Sequence, residues 1–516
     1  MTTPRYVIGV DIGTTGTKAV LFTPTGAVIG KALIEYPLHS PTPATAEQDP
    51  DEIFLAVLRT VKQVVAEQHV QPGELLCLSV SAAMHSLIVM DADDKPLTRS
   101  ITWADNRSAP WAEVIRQKHN GLAIYRRTGT PIHPMSPFVK LVWLRHEQPE
   151  WFQQAARFIS IKEYVFHRLF RRYVVDYSIA SATGLLNLET LTWDEEALAI
   201  AGVKPHQLSE LVPTTHILKP LSSEFAGVMC IAPDTPVVIG GSDGVLSNLG
   251  VGAIAPGVVA TTIGTSGAIR AVVDRPSTDP QARLFCYALT EQHWVVGGAV
   301  NNGGITLRWV RDQLADMEVL TAKRLGIDPY ELLMQQAATI PAGSDGLIFH
   351  PYLFGERSPL WTAHARGSFF GLTQTHTHAH LVRAVLEGIL FNLRIVLDAL
   401  EAATAPARRI QATGGFARSS LWRQMMADVF NREITIPEQH ESSCLGAAVL
   451  GLYALGAIDS LDAASSLVGE THSHQPTSAA VIYEQVFPHY ARLLQVFRQE
   501  YDAIAQLQAE LSSHFS

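Results

Sequence analysis

Short apolar runs that end in glycine and threonine alternate along the chain with longer stretches of helical spacing. YVIGV and KAVLF flank the turn GTTGT, which predicts a β-hairpin near the N-terminus. In DEIFLAVLRTVKQVVAEQ the apolar residues Ile53, Phe54, Val57 and Val61 share one helical face, so an amphipathic helix is predicted there. The apolar run LLCLSVS then predicts a second strand, which starts an α/β pattern.

The C-terminal part of the chain repeats this alternation. ARRIQATGG predicts a strand and a glycine turn, and SLWRQMMADVF predicts a helix whose apolar face contains Trp422, Met425 and Met426. EITIP predicts the next strand, and CLGAAVLGLYALG predicts a buried helix that is too short to span a membrane. The whole chain therefore reads as an α/β protein.

The N-terminal hairpin has a counterpart about half a chain later. GVVATTIGTSGAIRAVVD again joins two β-rich runs through a glycine-threonine turn, so that residues 263–267 align with residues 12–16. Asp11 falls opposite Thr262, and only the first copy carries an acid. An internal repeat of this kind predicts two similar α/β lobes that face each other across a cleft. We place the division between a lobe at 1–248 and a lobe at 249–516.

Charge and cysteine content narrow the class of partner. The 516 residues carry a formal net charge of -10, which argues against nucleic acid or an anionic membrane as the main partner. The four cysteines are far apart and form no C-x-x-C pair. That spacing fits a reducing compartment, so we expect a cytoplasmic protein with buried thiols.

The glycine-threonine turns are the first candidates for chemistry. Tight glycine turns expose backbone N–H groups that bind anions, and here threonine hydroxyls and Lys18 add further donors. An ordinary hairpin turn is the alternative, but two copies between β-rich runs favour the phosphates of a nucleotide. The chain has no G-x-x-x-x-G-K-[ST] motif. Asp11 is then a candidate ligand of Mg²⁺, unless turn N–H groups satisfy its carboxylate.

Two further glycine-rich stretches follow predicted strands. IGGSDG places Asp243 among small residues, where it either faces a ligand or caps a helix. GGFARSS, at 414–420, suits either a nucleotide base lying on the backbone or a simple turn from strand to helix. These residues alone leave both pairs of alternatives open.

Two polar loops are candidates for binding a small molecule. SAAMHS contains Met84 and His85, while TWADNRS brings Trp103, Asp105 and Arg107 within five residues. An aromatic ring beside donors and acceptors suits a polyol. The histidines of THTHAHL do not predict a zinc site, because no nearby cysteine or carboxylate completes a tetrahedral set.

Several of these motifs together resemble the FGGY family of carbohydrate kinases, within the superfamily of sugar kinases, heat-shock chaperones and actin. The similarity covers essentially the whole chain and includes DIGTTGTK, TIGTSG, IGGSDG, ATGGFARSSLWRQMMAD and PYLFGERSPLW. It implies two actin-like, ribonuclease H-like lobes with a central cleft. The stretches SAAMHS, ITWADNRS, RTGTPIHPM, NNGGITLRW and ESSCLGA are most similar to those of members that act on gluconate.

The resemblance also implies residue roles and an activity, the ATP-dependent phosphorylation of the 6-hydroxyl of D-gluconate. Asp243 is the implied catalytic base, and Asp11 is the implied contact to Mg²⁺. The other implied contacts are Gly13, Thr14, Thr15, Lys18, Gly264 and Thr265 with the ATP phosphates, Gly304, Gly415 and Ser419 with adenosine, and Met84, His85, Trp103, Asp105 and Arg107 with the sugar acid. Arg107 is the first candidate for the substrate carboxylate, because guanidinium and carboxylate pair in a bidentate fork, and His85 is the second.

Other activities on the same scaffold remain alternatives. A xylulokinase or another pentulose or polyol kinase would share the phosphate motifs. A chaperone, a filament protein or a silent sugar sensor would share the lobes, but would not need both the sugar-facing loop and Asp243. A homodimer is expected from family habit alone.

Overall fold

The computed structural model describes residues 5–437, 441–469 and 471–513. The chain forms two compact units that interleave along the sequence. The first contains Met1–Ala255, Val272–Val296 and Glu441–Gly469, and the second contains Pro256–Ala271, Gly297–His440 and Glu470–Ser516, each as far as it is described. The predicted division into 1–248 and 249–516 concerns sequence domains and stays a prediction.

The strands are short and occur along most of the chain. They are β1 Tyr6–Ile12, β2 Gly16–Phe22, β3 Val28–Glu35, β4 Glu47–Gln48, β5 Leu75–Ala82, β6 Ile88–Met90, β7 Ser100–Ile101, β8 Arg157–Ile159, β9 Val174–Asp176, β10 Leu186–Asn187, β11 Thr192–Trp193, β12 Glu210–Val212, β13 Ile217–Leu218, β14 Val237–Ser242, β15 Val258–Ile263, β16 Gly267–Val273, β17 Phe285–Ala288, β18 Trp294–Val300, β19 Ile348–His350, β20 Ser368–Phe370, β21 Arg409–Thr413, β22 Glu433–Pro437 and β23 Thr471–His474.

The helices vary much more in length. They are α1 Pro50–Glu67, α2 Ala109–Lys118, α3 Gly121–Thr128, α4 Pro137–Glu147, α5 Pro149–Gln154, α6 Ile161–Phe170, α7 Tyr177–Ser181, α8 Glu195–Ala201, α9 Ser223–Met229, α10 Asp243–Gly250, α11 Gly304–Gln313, α12 Asp316–Leu325, α13 Pro329–Ala338, α14 His378–Ala403, α15 Ser420–Phe430, α16 Ser442–Ala454, α17 Ala464–Leu467, α18 Ala479–Arg498 and α19 Tyr501–Ser513. Single 3₁₀ turns occupy Pro205–Gln207, Ser344–Gly346, Gly415–Arg418 and Leu461–Ala463.

The first unit is built on a six-stranded sheet in the order β13-β14-β5-β1-β2-β3. Strands β1, β2 and β3 form an antiparallel meander, whereas β5 runs parallel to β1 and β14 parallel to β5. Strands β1 and β14 thus run in the same direction, and such strands end at the same edge of a sheet. Asp11 near the end of β1 and Asp243 just after β14 are therefore both at this edge.

Two helices cover opposite faces of this sheet. One face of β1 packs on the apolar face of α1 in a buried core that contains Ile8, Val10 and Ile12. Asp49 caps the first turn of α1 by accepting the N–H of Asp51 at 2.9 Å. The intervening residue Gly9 lies against the backbone of α16, where an added Cβ would come within 2.0 Å of a carbonyl oxygen. Because successive residues of a strand point to opposite faces, α1 and α16 enclose the sheet between them.

The second unit repeats the same arrangement of strands. Its sheet contains β16, β15, β21, β22 and β23 as successive neighbours. Strands β15 and β16 form an antiparallel hairpin, β21 lies parallel to β15, and β22 lies parallel to β21. A hairpin with a parallel strand beside its first arm therefore occurs in each unit, as the internal repeat predicted.

The other sequence-based predictions of elements agree with the structure. DEIFLAVLRTVKQVVAEQ lies in or next to α1, SLWRQMMADVF forms α15, and CLGAAVLGLYALG overlaps α16. All four cysteines carry free thiols; Cys77, Cys286 and Cys444 are buried as predicted, but Cys230 is exposed, so the prediction of a buried thiol is wrong there. Among the described residues, no helix combines the length and the apolarity that crossing a bilayer requires.

Helices α10 and α16 approach each other so closely that backbone meets backbone. A Cβ on Gly446 would lie 1.9 Å from the carbonyl oxygen of Leu246, and a Cβ on Gly250 would lie 1.8 Å from that of Ser442. Helix α10 begins with Asp243, so the fit between the two helices fixes the element that carries this carboxylate.

We predict that Gly446→Ala destabilises the protein although alanine favours helices. The added methyl group forces the two helices apart, which should lower the free energy of unfolding by about 1–3 kcal/mol in urea denaturation. Gly227→Ala in α9 is the matched control, since its Cβ would meet nothing within 4 Å and should stabilise by up to about 1 kcal/mol. Equal effects of the two substitutions would contradict the proposed close contact.

Candidate active site

The first glycine-threonine turn is hydrogen bonded from behind through its carbonyl groups. The hydroxyl of Tyr36 donates to the carbonyl oxygen of Gly13 at 2.6 Å, and the side-chain amide of Gln48 donates to that of Thr14 at 2.6 Å. The N–H of Tyr36 donates to the carbonyl oxygen of Thr15 at 3.3 Å. Within the described part of the chain, the N–H groups of Thr14 and Thr15 donate to no protein acceptor. This arrangement suits an anion.

The second turn has the same design with different donors. The N–H of Gly304 donates to the carbonyl oxygen of Gly264 at 2.7 Å, and the N–H of Ile305 donates to that of Thr265 at 3.0 Å. The turn closes on itself through the N–H of Gly264, which donates to the carbonyl oxygen of Ser266 at 2.9 Å. The first residues of α11 thus support this turn directly.

Asp11 lies at the edge of the first turn, beside Lys18 across the hairpin. Ser81 donates to one of its carboxylate oxygens at 2.7 Å, and Lys18 is its cross-strand partner in β2. Burial raises the pKa of Asp11, although the hydrogen bond from Ser81 and the charge of Lys18 act in the opposite direction. A low-dielectric position beside an anion-binding turn favours a cation next to this carboxylate.

Lys18 is held by a residue to which the sequence assigned no role. Its ammonium lies 2.7 Å from a carboxylate oxygen of Glu441, which also accepts from Lys31 at 3.1 Å. Burial alone would raise the pKa of Glu441, but the two lysines lower it below its usual value. Glu441 belongs to the ESSCLGA stretch and stands 423 residues from Lys18, so no local pattern could have predicted the pair.

Asp243 is the first residue of α10, and Ser242 is the N-cap residue of that helix. The carboxylate of Asp243 accepts the N–H of Gly244 at 2.6 Å, and the Asp243 side chain is partly exposed. A carboxylate in the first turn of a helix is stabilised by the helix dipole. The position fits a negatively charged group that faces a ligand. The side chain of Ser242 makes no capping hydrogen bond, so Asp243 is the side chain that accepts an N–H in this first turn.

Two of the predicted sugar-side residues, Trp103 and Asp105, have partners of different kinds. Trp103 reaches the first turn, where its indole N–H donates to the hydroxyl of Thr14 at 2.9 Å. Asp105 is fully buried and accepts from the N–H of Ala46 at 2.9 Å and from the guanidinium of Arg107. Trp103 therefore connects the TWADNRS loop to the first glycine-threonine turn, while Asp105 faces the protein.

Arg107 is engaged by protein groups on two sides. Its guanidinium contacts the carboxylates of Asp105 and Glu47, and it lies over the ring of Trp143 at 4.7 Å. Burial alone would lower the pKa of Arg107, but the two carboxylates raise it above its usual value. The bidentate fork that a substrate carboxylate would need is thus turned towards protein carboxylates.

Met84 and His85 follow β5 in a partly exposed turn. His85 has a left-handed backbone, with φ at 67°, and its Nδ1 lies 2.7 Å from the carbonyl oxygen of Ala182. Because a carbonyl only accepts, Nδ1 carries the proton in this hydrogen bond, and Ala182 fixes the orientation of the ring. The edge of the ring packs on Tyr287, with centroids 5.9 Å apart.

A buried lysine that sequence reasoning missed lies beneath these loops. The ammonium of Lys140 donates to the carbonyl oxygens of His85 at 2.6 Å, Thr102 at 2.7 Å and Met135 at 2.9 Å. Burial lowers its pKa to about 7, while the charge of Asp105 acts in the opposite direction. Lys140 therefore joins the SAAMHS, TWADNRS and RTGTPIHPM stretches at one point, although a lysine in an apolar helix gives no such signal.

The second unit contains a pocket of about 760 Å³ beside the second turn. All five nucleotide-side residues predicted in this half of the chain line it, namely Gly264, Thr265, Gly304, Gly415 and Ser419. Tyr330 and Met334 of α13 add an aromatic and a flexible apolar wall, and Arg308 adds a cation. Volume and lining suit a ligand with a flat ring and an anionic tail.

The histidines of THTHAHL have partners of other kinds. His380 caps the start of α14 with Thr377 and lies 3.1 Å from Asp345, and His378 lies 3.4 Å from Glu318. Among the described residues, no group of three or more histidine, cysteine, aspartate or glutamate side chains is arranged to hold a metal ion.

Comparison with known proteins decides the family. The N-terminal domain of the FGGY family of carbohydrate kinases matches residues 6–250, and its C-terminal domain matches residues 259–455. The chain belongs to this family. The chain is therefore an ATP-dependent carbohydrate kinase, as the motifs predicted.

Relatives and solved structures agree on the fold. A gluconokinase of Bacillus licheniformis is 56% identical over 512 residues, which cover 98% of this chain and 99% of the relative. The crystal structure of a gluconate kinase from Lactobacillus acidophilus superposes with a TM-score of 0.91 at 40% identity, covering 97% of this chain and 99% of that one. A structure described as a ligand-bound xylulose kinase from Lactobacillus acidophilus gives the same values. The predicted fold class of two actin-like lobes is confirmed.

We predict that Lys140→Met impairs carbohydrate binding by this kinase. The substitution removes the donor of the carbonyl oxygens of His85, Thr102 and Met135, which should cost about 2–4 kcal/mol of stability and loosen the three loops. The Michaelis constant for the carbohydrate should rise several-fold, while that for ATP changes little. Steady-state kinetics on purified, folded enzyme measures both constants, and an unchanged carbohydrate constant would argue against the role of Lys140.

Proposed function

We propose that the kinase phosphorylates the 6-hydroxyl of D-gluconate with ATP, giving 6-phosphogluconate and ADP. The observation that carries this proposal is the 56% identity, over nearly the whole length of both chains, with a protein named gluconokinase. Xylulose is the second candidate substrate, because a structure named for it is 40% identical to this chain. A cytoplasmic location and a homodimer stay predictions.

Asp243 is the proposed general base. As the substrate oxygen attacks the γ-phosphorus, its proton passes to the Asp243 carboxylate, the bond from phosphorus to the ADP oxygen breaks, and ADP leaves. Phosphoryl transfer has a loose transition state with charge spread over the phosphoryl oxygens, so most of the catalysis is positioning and charge stabilisation. The position of Asp243 in the first turn of α10 supports an ionised base, because the helix dipole favours the carboxylate.

The phosphates are the proposed ligands of the two glycine-threonine turns. In the first unit we assign Gly13, Thr14, Thr15 and Lys18 to them, and in the second unit Gly264 and Thr265. The carbonyl groups of both turns are occupied from behind, which supports N–H groups that serve an anion. Adenosine is assigned to the pocket bordered by Gly304, Gly415 and Ser419.

Asp11 is the proposed protein contact for Mg²⁺. The donor set fits, because Mg²⁺ prefers oxygen ligands, keeps several waters and needs only one or two carboxylates when it travels with a nucleotide. When bound, Mg²⁺ would neutralise charge that builds up on the phosphoryl oxygens. Ser81 and Lys18 would orient and balance the Asp11 carboxylate through the contacts described above.

Recognition of the substrate carboxylate stays open between two residues. Arg107 was the first candidate, but a grip on the substrate would require it to give up Asp105 or Glu47. His85 is the second candidate, and the hydrogen bond from its Nδ1 to the carbonyl oxygen of Ala182 orients its ring. Met84, Trp103 and Asp105 are the remaining proposed residues of the sugar side.

A substrate panel tests the proposed activity. Coupled ADP detection with gluconate, xylulose, ribulose and glycerol should give the highest kcat/KM for gluconate. Asp243→Asn keeps the shape of the side chain but removes the base, so kcat on gluconate should fall by about 10²–10⁴-fold. A higher kcat/KM for xylulose would contradict gluconate as the proposed substrate. A fully active Asp243→Asn enzyme would contradict Asp243 as the proposed base.

The metal assignment is tested by the dependence of activity on Mg²⁺. Asp11→Asn replaces the carboxylate ligand with a neutral amide, which binds Mg²⁺ more weakly. The Mg²⁺ concentration for half-maximal activity should therefore rise by roughly tenfold. Ser247→Ala in α10 is a suitable control, since this hydroxyl bonds to Ser442 rather than to the turn. An Asp11→Asn enzyme with an unchanged Mg²⁺ requirement would contradict the assignment.

A further inference from the structure

The segment PYLFGERSPLW contains a fully buried carboxylate that the proposed mechanism does not use. Glu356 is 1% exposed and accepts four hydrogen bonds. The donors are the N–H of Asn301 at 2.5 Å, the N–H of Arg357 at 2.9 Å, the side-chain amide of Asn392 at 2.9 Å and that of Asn302 at 3.1 Å. Every one of these contacts requires an acceptor, which an ionised carboxylate provides.

The same segment holds the residues that precede α11 by further contacts. The guanidinium of Arg357 donates to the side-chain oxygen of Asn301 at 2.8 Å and to the carbonyl oxygen of Val300 at 3.2 Å. The side chain of Asn302 donates to the carbonyl oxygen of Gly355 at 2.7 Å and accepts the N–H of Phe354 at 3.2 Å. Residues 300–302 and 354–357 are thus joined at many points.

Gly303 and Gly304 follow directly and pack against the backbone of the second phosphate turn. A Cβ on Gly303 would come within 2.6 Å of the backbone of Ser266, and a Cβ on Gly304 within 2.6 Å of the carbonyl oxygen of Gly264. The N–H of Gly304 donates to that same oxygen at 2.7 Å. Backbone packed this closely cannot shift on one side without shifting on the other.

We propose that Glu356 is a positioning residue for the nucleotide, which fixes Asn301 and Asn302 so that Gly303 and Gly304 hold the second phosphate turn in its binding geometry. Glu356 does not line the nucleotide pocket and acts through the loop. The inference rests on the proposed nucleotide site. It explains why a buried carboxylate, which is costly to place in a protein interior, occurs in this segment.

The test measures ADP binding by isothermal titration calorimetry without any sugar. Glu356→Gln keeps the size of the side chain but turns an amide NH₂ towards groups that are themselves donors, so the loop should lose its anchor. We expect ADP to bind roughly tenfold more weakly, which corresponds to the loss of about one hydrogen bond to a charged group. In steady-state assays KM for ATP should rise while KM for gluconate stays within twofold.

Glu387→Gln is the matched control. Glu387 is also a buried glutamate and lies on α14, which also carries Asn392. Its partners are Arg383, Ser344, Tyr483 and the N–H of Gly343, and none of them lines the pocket. This variant should lower the melting temperature, as Glu356→Gln does, but leave ADP binding unchanged.

A milder variant covers the case in which Glu356→Gln does not fold. Asn301→Ala removes the side-chain contact to Arg357 but keeps the backbone N–H that Glu356 accepts, and Asn301 is only partly buried. It should weaken ADP binding in the same direction by a smaller factor. If a folded Glu356→Gln or Asn301→Ala enzyme bound ADP like the wild type, the inference would be overturned. If the wild type itself bound no ADP, the proposed nucleotide site would fail instead.

Discussion

The proposed chemistry depends on hydrogen bonds that hold the carbonyl groups of the two glycine-threonine turns in place. In the first unit Tyr36 and Gln48 donate to the carbonyl oxygens of Gly13 and Thr14, and in the second unit the start of α11 donates to that of Gly264. A peptide group whose carbonyl oxygen is fixed on one side has its N–H oriented away from that side. Backbone dipoles fixed before the ligand arrives need no reorganisation when it binds.

The donors to the turns belong to other segments, namely Tyr36 after β3, Gln48 in β4 and the start of α11, and neighbouring loops are held by buried polar side chains. Lys140 holds the predicted sugar-side loops through the carbonyl oxygens of His85, Thr102 and Met135, and Glu356 holds the loop before α11 through two donors, the N–H of Asn301 and the side-chain amide of Asn302. Burial shifts the pKa of each group to about 7, towards its neutral form, so the charged form of each is stable only with a full set of partners. Such anchors make the loops rigid, because a displaced loop would leave a buried charge without hydrogen bonds.

The sequence predicted the elements that depend on local patterns. The two hairpins, α1, α15 and the repeated glycine-threonine turns follow from periodicity and glycine placement, and the five nucleotide-side residues of the second unit do meet in one pocket. Contacts between different elements were not predicted. The pair of Lys18 and Glu441, and the anchor at Lys140, depend on which elements become neighbours after folding, and residue type alone does not reveal that.

The sugar side shows that residues of one sequence motif can have very different partners in the fold. TWADNRS suggested a wall of Trp103, Asp105 and Arg107, yet the fold turns Trp103 towards Thr14 and pairs Asp105 with Arg107. A carboxylate and a guanidinium two residues apart satisfy each other more readily than either satisfies a ligand, since the local pair forms without loss of ligand entropy. Arg107 and His85 therefore both stay proposals for the substrate carboxylate, and the structure gives them different surroundings: Arg107 is paired with Asp105, whereas Ala182 orients the ring of His85 and Lys140 holds its carbonyl oxygen.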